Sequence, residues 1–376
     1  MKRVGNIYNN ILDISIINNI YKRQVKCNTK NKRKIEVFEN NYVSNICYIK
    51  EILEERKYIP GKYNIFLIKE PKYRIIMSQN IIDKLINHIV SKYFLVDIFE
   101  KSLINENVAT RINKGTKEGI RLVKKYLNNI KGKEFYILKF DIEKYFYNID
   151  HDILKEILID KIKDKDVINI LFNIIDSTDL EYVNKKIDSI KEKEKNKTSD
   201  INIINEINKI PYYNIGKGLP IGNMSSQFLA ILYLNELDHF IKEKLNIKYY
   251  VRYMDDGLLI HESKEYLKYC LNEIEKIMSK YKLKLNKKTK IYKYNEGFEF
   301  LGFRYIIKNN KVIIKVKNQT KRKFKRKIKV LNNLLNKGII KKEYYNSVLA
   351  SYEGHFNYGN CNKLFKYNWD NTDKLS

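Results

Sequence analysis

Residues 249–261, Tyr-Tyr-Val-Arg-Tyr-Met-Asp-Asp-Gly-Leu-Leu-Ile-His, carry the pattern from which the fold is inferred. Aromatic and β-branched residues alternate before two adjacent acids, Asp255 and Asp256, and a second apolar run follows them. This pattern predicts a β-hairpin with the acids at its turn. An ordinary surface Asp-Gly turn is the alternative. Adjacent carboxylates repel each other, however, and their placement is explained if a divalent cation neutralises them.

The composition of the chain indicates a polyanionic partner. Its 376 residues include 73 basic and 44 acidic side chains, which gives a formal net charge of +29. Abundant Ile, Asn, Lys and Tyr point to AT-rich coding DNA, but codon bias does not account for this imbalance. Nucleic acid is the polyanion that such a charge favours. The length predicts two or three domains.

The sequence predicts a cytoplasmic protein without a membrane partner. No apolar run approaches the roughly 18 residues of a membrane span. The N-terminus lacks the apolar core of a signal peptide. The cysteines are scattered without a CxxC pair, which is typical of reduced thiols rather than of disulfides or a zinc site: Cys27, Cys47, Cys270 and Cys361.

Three further stretches bear on function. Residues 135–140 predict a buried strand, and Asp141 follows directly at its end. Residues 216–227 form a glycine-rich loop that leads into a predicted helix, 228–245. Residues 317–342 carry eleven Lys or Arg and no acid, with apolar side chains at helical spacing. A helix face with charges of one sign favours contact with a phosphate backbone over an ordinary solvated surface.

The rest of the chain predicts helices joined by short strands. The helices are expected at 1–60, 81–99, 152–175, 264–281 and within 344–364, and the strands at 63–68, 74–77, 298–305 and 311–316. His88 is predicted to be structural. The Lys/Glu/Asn-rich segment 176–211 has few apolar clusters, which indicates a partly mobile, weakly helical insertion.

The order of these elements resembles the palm of reverse transcriptases. The motifs are a strand ending in Asp141, the glycine loop, the Tyr-Met-Asp-Asp hairpin and Phe-Leu-Gly-Phe at 300–303. The resemblance extends over roughly residues 50–376, and four motifs in this order are specific. It implies an α+β right-hand polymerase fold of fingers, palm and thumb, with an antiparallel palm sheet backed by helices and a helical thumb. The implied domains are an N-terminal extension at 1–58, fingers at 59–134, a palm at 135–305 with an insertion at about 176–211, and a thumb at 306–376.

The resemblance implies an RNA-directed DNA polymerase that adds dNTPs to a primer 3′-hydroxyl by two-metal nucleotidyl transfer. Asp141, Asp255 and Asp256, with the backbone carbonyl of Ile142, match the ligands of two Mg²⁺ ions, with Mn²⁺ as an alternative. The implied partners are an RNA template and a DNA or RNA primer. The nearby acids Glu143 and Asp150 are predicted to be structural.

Further residues match family positions that bind substrate or nucleic acid. Phe146 matches the side chain that excludes a ribose 2′-hydroxyl, although a core aromatic is the alternative. The remaining matches are Lys69 (or Lys72) and Arg74 for the triphosphate, Gly222 and Gln227 under the nascent base pair, Phe300, Leu301, Gly302 and Phe303 as primer grip, and Lys321, Lys325 and Lys329 on the thumb.

Within the family, the details look closest to bacterial reverse transcriptases of diversity-generating retroelements. The sequence Ile-Gly-Asn-Met-Ser-Ser-Gln at 221–227 has Ile221 in place of the usual glutamine, and residues 351–360 resemble their thumb end. The insertion at 176–211 and the stretch 77–84 depart from the pattern. They leave room for an antiphage-defence enzyme with protein-primed or template-independent synthesis. An inactive RNA-binding factor is a further alternative, which the intact acids disfavour. The template, the primer and any accessory protein or structured non-coding RNA stay open.

Overall fold

The computed structural model describes residues 3–70 and 72–359. It divides into two compact units. The first unit comprises Met1–Asn105, Ile142–Phe240 and Ile274–Asn286, and the second comprises Glu106–Asp141, Ile241–Glu273 and Lys287–Ser376. Within the described ranges no helix has the length and apolar character needed to cross a membrane. Position 71 in the predicted fingers and the end of the predicted thumb, 360–376, lie outside the described residues.

The first unit begins with helices, as predicted, and continues with a two-stranded hairpin. Strands β1 (Asn64–Ile68) and β2 (Arg74–Ser78) pair in antiparallel register. A polar stretch around residues 27–31 separates the first two helical segments, so the region 1–60 is several helices and not one. The helices before residue 100 are α1 (Ile14–Ile20), continued by a π-helix over Tyr21–Lys26, α2 (Lys32–Asn40), α3 (Tyr42–Glu54), α4 (Ile81–Val90), continued by a π-helix over Ser91–Val96, and α5 (Asp97–Phe99).

Histidine 88 is structural, as predicted. Its Nδ1 lies 3.1 Å from Oε1 of Gln24 inside the helical layer. Burial lowers the pKa of His88 to about 4, because the charged ring would lose its hydration there. The ring is therefore neutral at physiological pH.

The helices that follow Asp141 differ from the prediction at two places. The helix expected at 152–175 is divided into α8 (His151–Ile159) and α9 (Lys165–Ile175), because Asp164 caps the N-terminus of α9. The helix expected at 228–245 begins earlier, as α12 (Met224–Tyr233), and continues after a break as α13 (Asn235–His239) and a π-helix over Phe240–Lys244. The short helix α7 (Tyr145–Asn148) precedes them.

The segment predicted to be a weakly helical insertion is well-formed structure. It contains α10 (Glu181–Lys195) and α11 (Ile201–Asn208). Apolar residues of both helices and of the β1–β2 hairpin share one buried cluster, which includes Val183, Ile187, Ile207, Ile65 and Met77. The prediction was wrong because a few apolar residues, three or four positions apart, suffice to bury one face of a helix otherwise made of Lys and Glu.

The second unit contains two antiparallel sheets. The larger has the order β4-β5-β3-β6, and the smaller is the meander β7-β8-β9. The strands are β3 (Tyr136–Phe140), β4 (Tyr249–Tyr253), β5 (Asp256–His261), β6 (Lys290–Lys293), β7 (Phe298–Phe300), β8 (Phe303–Lys308) and β9 (Lys311–Val316). The predicted hairpin at 249–261 is confirmed as β4 and β5.

Helices pack on these sheets around one apolar core. They are α6 (Thr116–Ile130), α15 (Asn318–Asn336) and α16 (Lys342–Phe356). A further helix, α14 (Lys264–Lys280), begins in the second unit, and its residues from Ile274 onward belong to the first unit. The core joins the inner faces of α6, α15 and α16 to both sheets through residues such as Val123, Ile137, Phe303, Phe324 and Leu349. The apolar spacing predicted for α15 is confirmed, since Phe324, Ile328 and Leu331 are buried.

Candidate active site

The three acids lie at one end of the β4-β5-β3 sheet. Asp141 directly follows the last residue of β3, Phe140, which pairs with Gly257 of β5. Tyr253 pairs with Asp256, so Met254 and Asp255 form a two-residue turn between β4 and β5. Adjacent strands are roughly 4.8 Å apart. Asp141 and Asp256 therefore occupy neighbouring positions on adjacent strands, with Asp255 at the hairpin tip.

A lysine already stands beside the acids. Nζ of Lys139 lies 3.4 Å from Oδ1 of Asp256, and both side chains are partly exposed. The two residues face the same side of the sheet, diagonally across the β3–β5 pair. The acids offer carboxylate oxygens, the ligand type that Mg²⁺ prefers. The Lys139 contact shows that this end of the sheet attracts a cation, so the residues fit a divalent ion.

Arg252 positions the hairpin tip, a role that the sequence analysis missed. The side chain is 0% exposed, and its Nη1 donates a hydrogen bond of 2.8 Å to the carbonyl of Met254. On the outer side of β4, the main chain of Arg252 bonds to Glu106 and Val108. The signal in the sequence was an arginine at an interior position of an apolar strand, where a charge is costly unless it is bonded.

Gly257 of β5 makes room for the ring of Phe140 of β3, next to the acids. A Cβ placed on Gly257 would lie 2.1 Å from Cζ of the Phe140 ring. Phe140 is fully buried and directly precedes Asp141. No larger residue fits at 257 unless the phenylalanine moves. The Asp-Gly pair is therefore more than a turn signal, because its glycine leaves room for the Phe140 ring beside the acids.

The glycine loop of the first unit is held by main-chain hydrogen bonds. The N–H of Met77 in β2 donates to the carbonyl of Ile221 at 2.9 Å. Gly222 has φ 126°, and a Cβ there would lie 3.2 Å from the Met77 carbonyl oxygen. Gln227 was expected in the glycine loop, but it lies in the first turn of α12. The related enzymes usually have glutamine at the position of Ile221. In this chain the isoleucine contributes a main-chain carbonyl that fixes the loop to β2.

Phe146 is only half-buried, in helix α7. Its ring lies 5.9 Å from that of Tyr145, edge to face, and its carbonyl accepts a 2.7 Å hydrogen bond from Leu219. The Tyr145 hydroxyl donates a short hydrogen bond to the carbonyl of Ala230. The ring of Phe146 is thus partly accessible on a backbone that is fixed on both sides.

The basic residues of the β1–β2 hairpin differ in their contacts. Lys69 forms a 2.5 Å ion pair with Glu194 of α10, and that hydrogen bond raises the pKa of Lys69. Arg74 is exposed at the start of β2.

Asp150, predicted to be structural, caps α8 and accepts a hydrogen bond of 2.8 Å from Lys282. Ile142, next to Asp141, is buried and forms an antiparallel bridge with Leu285.

Comparisons with known proteins identify the family. The family described as "Reverse transcriptase (RNA-dependent DNA polymerase)" matches residues 67–305, more than half of the chain. The chain belongs to the reverse transcriptase family. Its fold is the α+β right-hand polymerase fold with an antiparallel palm sheet, as predicted.

Other comparisons give distant or no similarity. A solved structure of apo telomerase from Candida tropicalis, truncated from the C-terminal domain, is similar at 14% sequence identity and a TM-score of 0.44. The similarity covers 73% of this chain and 60% of the telomerase chain. Among curated proteins no match was found.

The predicted primer grip of this reverse transcriptase is a second tight hairpin, β7–β8. Phe300 pairs with Phe303, and Leu301 and Gly302 form the turn with φ 50° and 85°. Both phenylalanines are buried in the core of the second unit. Leu301 is partly buried and packs against α6, where a Cβ on Gly119 would lie 2.4 Å from its Cδ1.

The predicted thumb helix α15 presents unneutralised charge. Lys325 and Lys329 are exposed, and Lys321 is partly exposed on the same face. Neither Lys325 nor Lys329 has an ion-pair partner within the described part of the chain. Lys321 borders a polar groove with Arg304 and Lys315, beside the ion pair between Lys317 and Glu299 at 3.0 Å. The surface can contact several phosphates at once.

Proposed function

We propose that this protein is an RNA-directed DNA polymerase that extends a primer 3′-hydroxyl with dNTPs. The observation that supports it most is the set of three acids at one end of the palm sheet, on a Tyr-Met-Asp-Asp hairpin, in a chain of the reverse transcriptase family. An ordinary surface turn would not explain the buried charge of Arg252 or the need for glycine at 257.

Asp141, Asp255 and Asp256, with the carbonyl of Ile142, are proposed to hold two Mg²⁺ ions. When bound, such ions lower the pKa of the attacking hydroxyl and neutralise the triphosphate. Lys139 pairs with Asp256 at 3.4 Å and would give up this contact if Asp256 held an ion. The hairpin holds the acids in place, because Arg252 bonds to its tip and the tight β3–β5 contact fixes the neighbouring strand.

The acids are tested by primer extension on an RNA template. Asp255→Asn keeps the side-chain size but removes the charge, and it should lower the rate about a thousandfold or more, since several kcal/mol of transition-state stabilisation are lost. Binding of primer–template should persist. Asp152→Asn, at a surface acid of α8, is the matched control. Full extension by Asp255→Asn would refute the assignment, and absence of extension by the unaltered protein would favour an inactive RNA-binding factor.

Nucleotide binding is assigned to residues of the first unit. Phe146 is proposed to exclude the ribose 2′-hydroxyl, Lys69 (or Lys72) and Arg74 to bind the triphosphate, and Gly222 and Gln227 to support the nascent base pair. The partly exposed ring of Phe146 supports this role. Phe146→Ala should raise incorporation of rNTPs relative to dNTPs. A variant that unfolds, or that folds without any gain in rNTP use, would identify Phe146 as a packing residue.

Nucleic-acid binding is assigned to the primer grip, residues 300–303, and to Lys321, Lys325 and Lys329 on the thumb. Changing the three lysines to Gln should reduce the slope of log affinity against log salt by about one for each lost phosphate contact. The control changes Lys185, Lys186 and Lys193 of α10, which are exposed on a helix whose lysines pair with its own glutamates. Equal slopes in both triple variants would show that α15 does not contact nucleic acid.

We also propose domain boundaries and a biological role. The fingers, palm and thumb are placed at 59–134, 135–305 and 306–376, after an extension at 1–58. The role proposed is that of a bacterial retroelement enzyme of the diversity-generating type, in the cytoplasm and with an accessory protein or structured RNA, supported by the sequence at 221–227. Frequent misincorporation opposite template adenine would support it, and faithful copying there would contradict it.

The packed helices α10 and α11 favour a second candidate, an antiphage-defence reverse transcriptase. They cover the fingers hairpin with an ordered addition that the retroelement pattern lacks. Such an enzyme would synthesise DNA from a protein primer or without a template. DNA covalently attached to the protein after incubation with dNTPs alone would distinguish this activity from extension of an added primer.

A further inference from the structure

A second group of potential metal ligands lies in the first unit, apart from the hairpin acids in sequence and in unit. It consists of His151, Asp176 and Asp179, whose ligand atoms all lie within 4.8 Å of one another. His151 is the first residue of α8 and is 1% exposed. Asp176 begins a 3₁₀ turn, Asp176–Thr178, that follows α9, and Asp179 comes directly after it. The two carboxylates therefore converge on one buried imidazole.

The contacts of His151 determine which ring nitrogen carries its hydrogen. Nε2 lies 2.7 Å from the carbonyl oxygen of Gly218, which can only accept a hydrogen bond. Nε2 is thus the protonated nitrogen, and in a neutral ring Nδ1 has a lone pair. Nδ1 lies 3.1 Å from Oδ1 of Asp176 and 3.5 Å from Oδ2 of Asp179.

Nδ1 has no hydrogen-bond partner among the residues that the structure describes. A lone pair on this buried nitrogen that faces two carboxylates is repelled by both, so either a proton or a metal ion must lie between them. Because Nδ1 makes no hydrogen bond to either carboxylate, the geometry favours a metal ion. Lys155 supplies positive charge at the outer side of Asp176, with Nζ 2.7 Å from the carboxylate. No comparable contact to Asp179 Oδ2 or to Nδ1 is made by Lys155.

The spacing of the three ligands fits a small divalent ion. Metal–ligand bonds of roughly 2.0–2.2 Å place neighbouring ligand atoms roughly 2.8–3.6 Å apart in octahedral or tetrahedral geometry. The observed separations from Nδ1 are 3.1 Å and 3.5 Å. An imidazole ligand favours Zn²⁺-like ions over Mg²⁺, which prefers oxygen ligands only. Asp176 is 42% exposed, which leaves space for a water ligand.

We propose that His151, Asp176 and Asp179 form a structural Zn²⁺ site that fixes the start of the glycine loop. The two ligands outside the 3₁₀ turn, His151 and Asp179, also form hydrogen bonds with that loop. Oδ1 of Asp179 accepts the N–H of Gly216 at 3.1 Å, and the N–H of His151 donates to the Gly216 carbonyl at 2.9 Å. An ion at these side chains therefore joins α8, the 3₁₀ turn and residues 216–218.

The neighbouring contacts extend this effect toward α12. Oγ of Ser177, next to Asp176, lies 2.9 Å from the Tyr63 hydroxyl. That hydroxyl accepts a 3.1 Å hydrogen bond from Nδ2 of Asn223, the residue before α12 and after Gly222. The ion is thus placed to stabilise both ends of the loop.

The proposal is tested by direct zinc binding. The protein carries Cys27→Ser, Cys47→Ser and Cys361→Ser to remove competing thiols, is stripped with a chelator and is titrated with ZnCl₂ in a calorimeter. We expect one equivalent to bind. Asp179→Asn keeps an acceptor for the Gly216 N–H but removes a charged ligand, so zinc affinity should fall at least roughly tenfold, the lower end of the loss seen when a ligand's support is removed. Asp152→Asn, on the same α8 helix, should bind zinc unchanged.

Thermal melting supplies a second readout. Zinc should raise the melting temperature of this triple Cys→Ser protein, which keeps only the buried Cys270, because an ion that binds only the folded chain stabilises it. The increase should be lost in Asp179→Asn and in His151→Gln, and a large excess of Mg²⁺ should not reproduce it. Absence of stoichiometric binding, equal affinity in Asp179→Asn, or displacement of zinc by Mg²⁺ would each overturn the proposal. Because binding and melting are measured, the outcome does not depend on polymerase activity.

Discussion

Two tight hairpins of the second unit have the same backbone conformation at the first turn residue but carry different side chains at their tips. The β4–β5 turn is Met254-Asp255 and the β7–β8 turn is Leu301-Gly302, and each begins with a non-glycine residue at positive φ, 55° and 50°. Such residues cost roughly 1–3 kcal/mol each and persist only where their surroundings hold them. In both hairpins the strain is retained, so both tips are held by tertiary contacts.

The contacts that hold the two tips differ in kind. The acidic tip is held from within, by the buried Arg252 guanidinium on the Met254 carbonyl. The apolar tip is held from outside, by the packing of Leu301 against Gly119 of α6. The polar brace acts through the main chain of the tip, whereas the apolar anchor uses the tip side chain itself. The backbone thus sets the position of each tip, and the residue types decide what the tip can bind.

The largest effect is expected from Gly257→Ala, which tests the acidic hairpin. The added Cβ would overlap the Phe140 ring, and overpacking of a buried site costs roughly 1–3 kcal/mol. Because Phe140 and Gly257 are adjacent to Asp141 and Asp256, primer extension should fall far more than stability does. The measurements are urea unfolding and single-nucleotide incorporation. The double variant Phe140→Leu/Gly257→Ala makes room for the methyl group and should regain stability, and no regain would show that the clash is not with this ring.

An intermediate effect is expected from Leu301→Ala, which tests the apolar hairpin. A half-buried leucine contributes about 1 kcal/mol through burial, so the protein should fold with slightly lower stability. Affinity for primer–template should decrease, whereas incorporation at saturating duplex should change little. Gly119→Ala disturbs the same contact from the α6 side and should give the same pattern. If Leu301→Ala impairs incorporation at saturating duplex as strongly as Gly257→Ala does, the two hairpins are not functionally distinct.

The smallest effect is expected from Gly302→Ala. Its φ of 85° is unfavourable for alanine, but no atom lies within 4 Å of the added Cβ. The cost is therefore the left-handed backbone alone, roughly 1–2 kcal/mol. Unfolding should shift by that amount with nearly unchanged extension. A loss of extension comparable to that of Gly257→Ala would mean that the apolar tip also contacts the reacting groups.

The sequence predicted the elements whose pattern is local. Alternation over 249–261 predicted the hairpin, and the spacing of Phe324, Ile328 and Leu331 predicted the inner face of α15. Two boundaries were wrong. Asp164 caps α9 within a polar stretch, 160–166, that the helical periodicity on either side concealed, and α12 begins before the last residues of the glycine loop. Helices α10 and α11 were underestimated because their partner, the β1–β2 hairpin, lies far away in sequence.

The candidate site was predictable only in part. The acids follow strands and stand in recognised motifs, so their shared end of the sheet could be predicted. The roles of Arg252 and Lys139 depend on register across strands, which the sequence does not state. The convergence of His151, Asp176 and Asp179 has no motif at all, because it arises where a helix start, a 3₁₀ turn and a loop meet. A cluster of this kind can be recognised only in the folded structure.

The ion pair of Lys139 with Asp256 bears on how the protein is made in a cell. With its own cation beside the acids, the newly synthesised chain can complete its sheet before any magnesium arrives. Folding and metal supply are then separate events, and fluctuation in cellular magnesium changes how much enzyme is active rather than how much survives. We therefore expect Mg²⁺ to raise the melting temperature less in the Lys139-containing protein than in Lys139→Met, which lacks the built-in cation and so gains more from the bound ion. Equal responses of the two proteins to Mg²⁺ would show that the lysine has no such role.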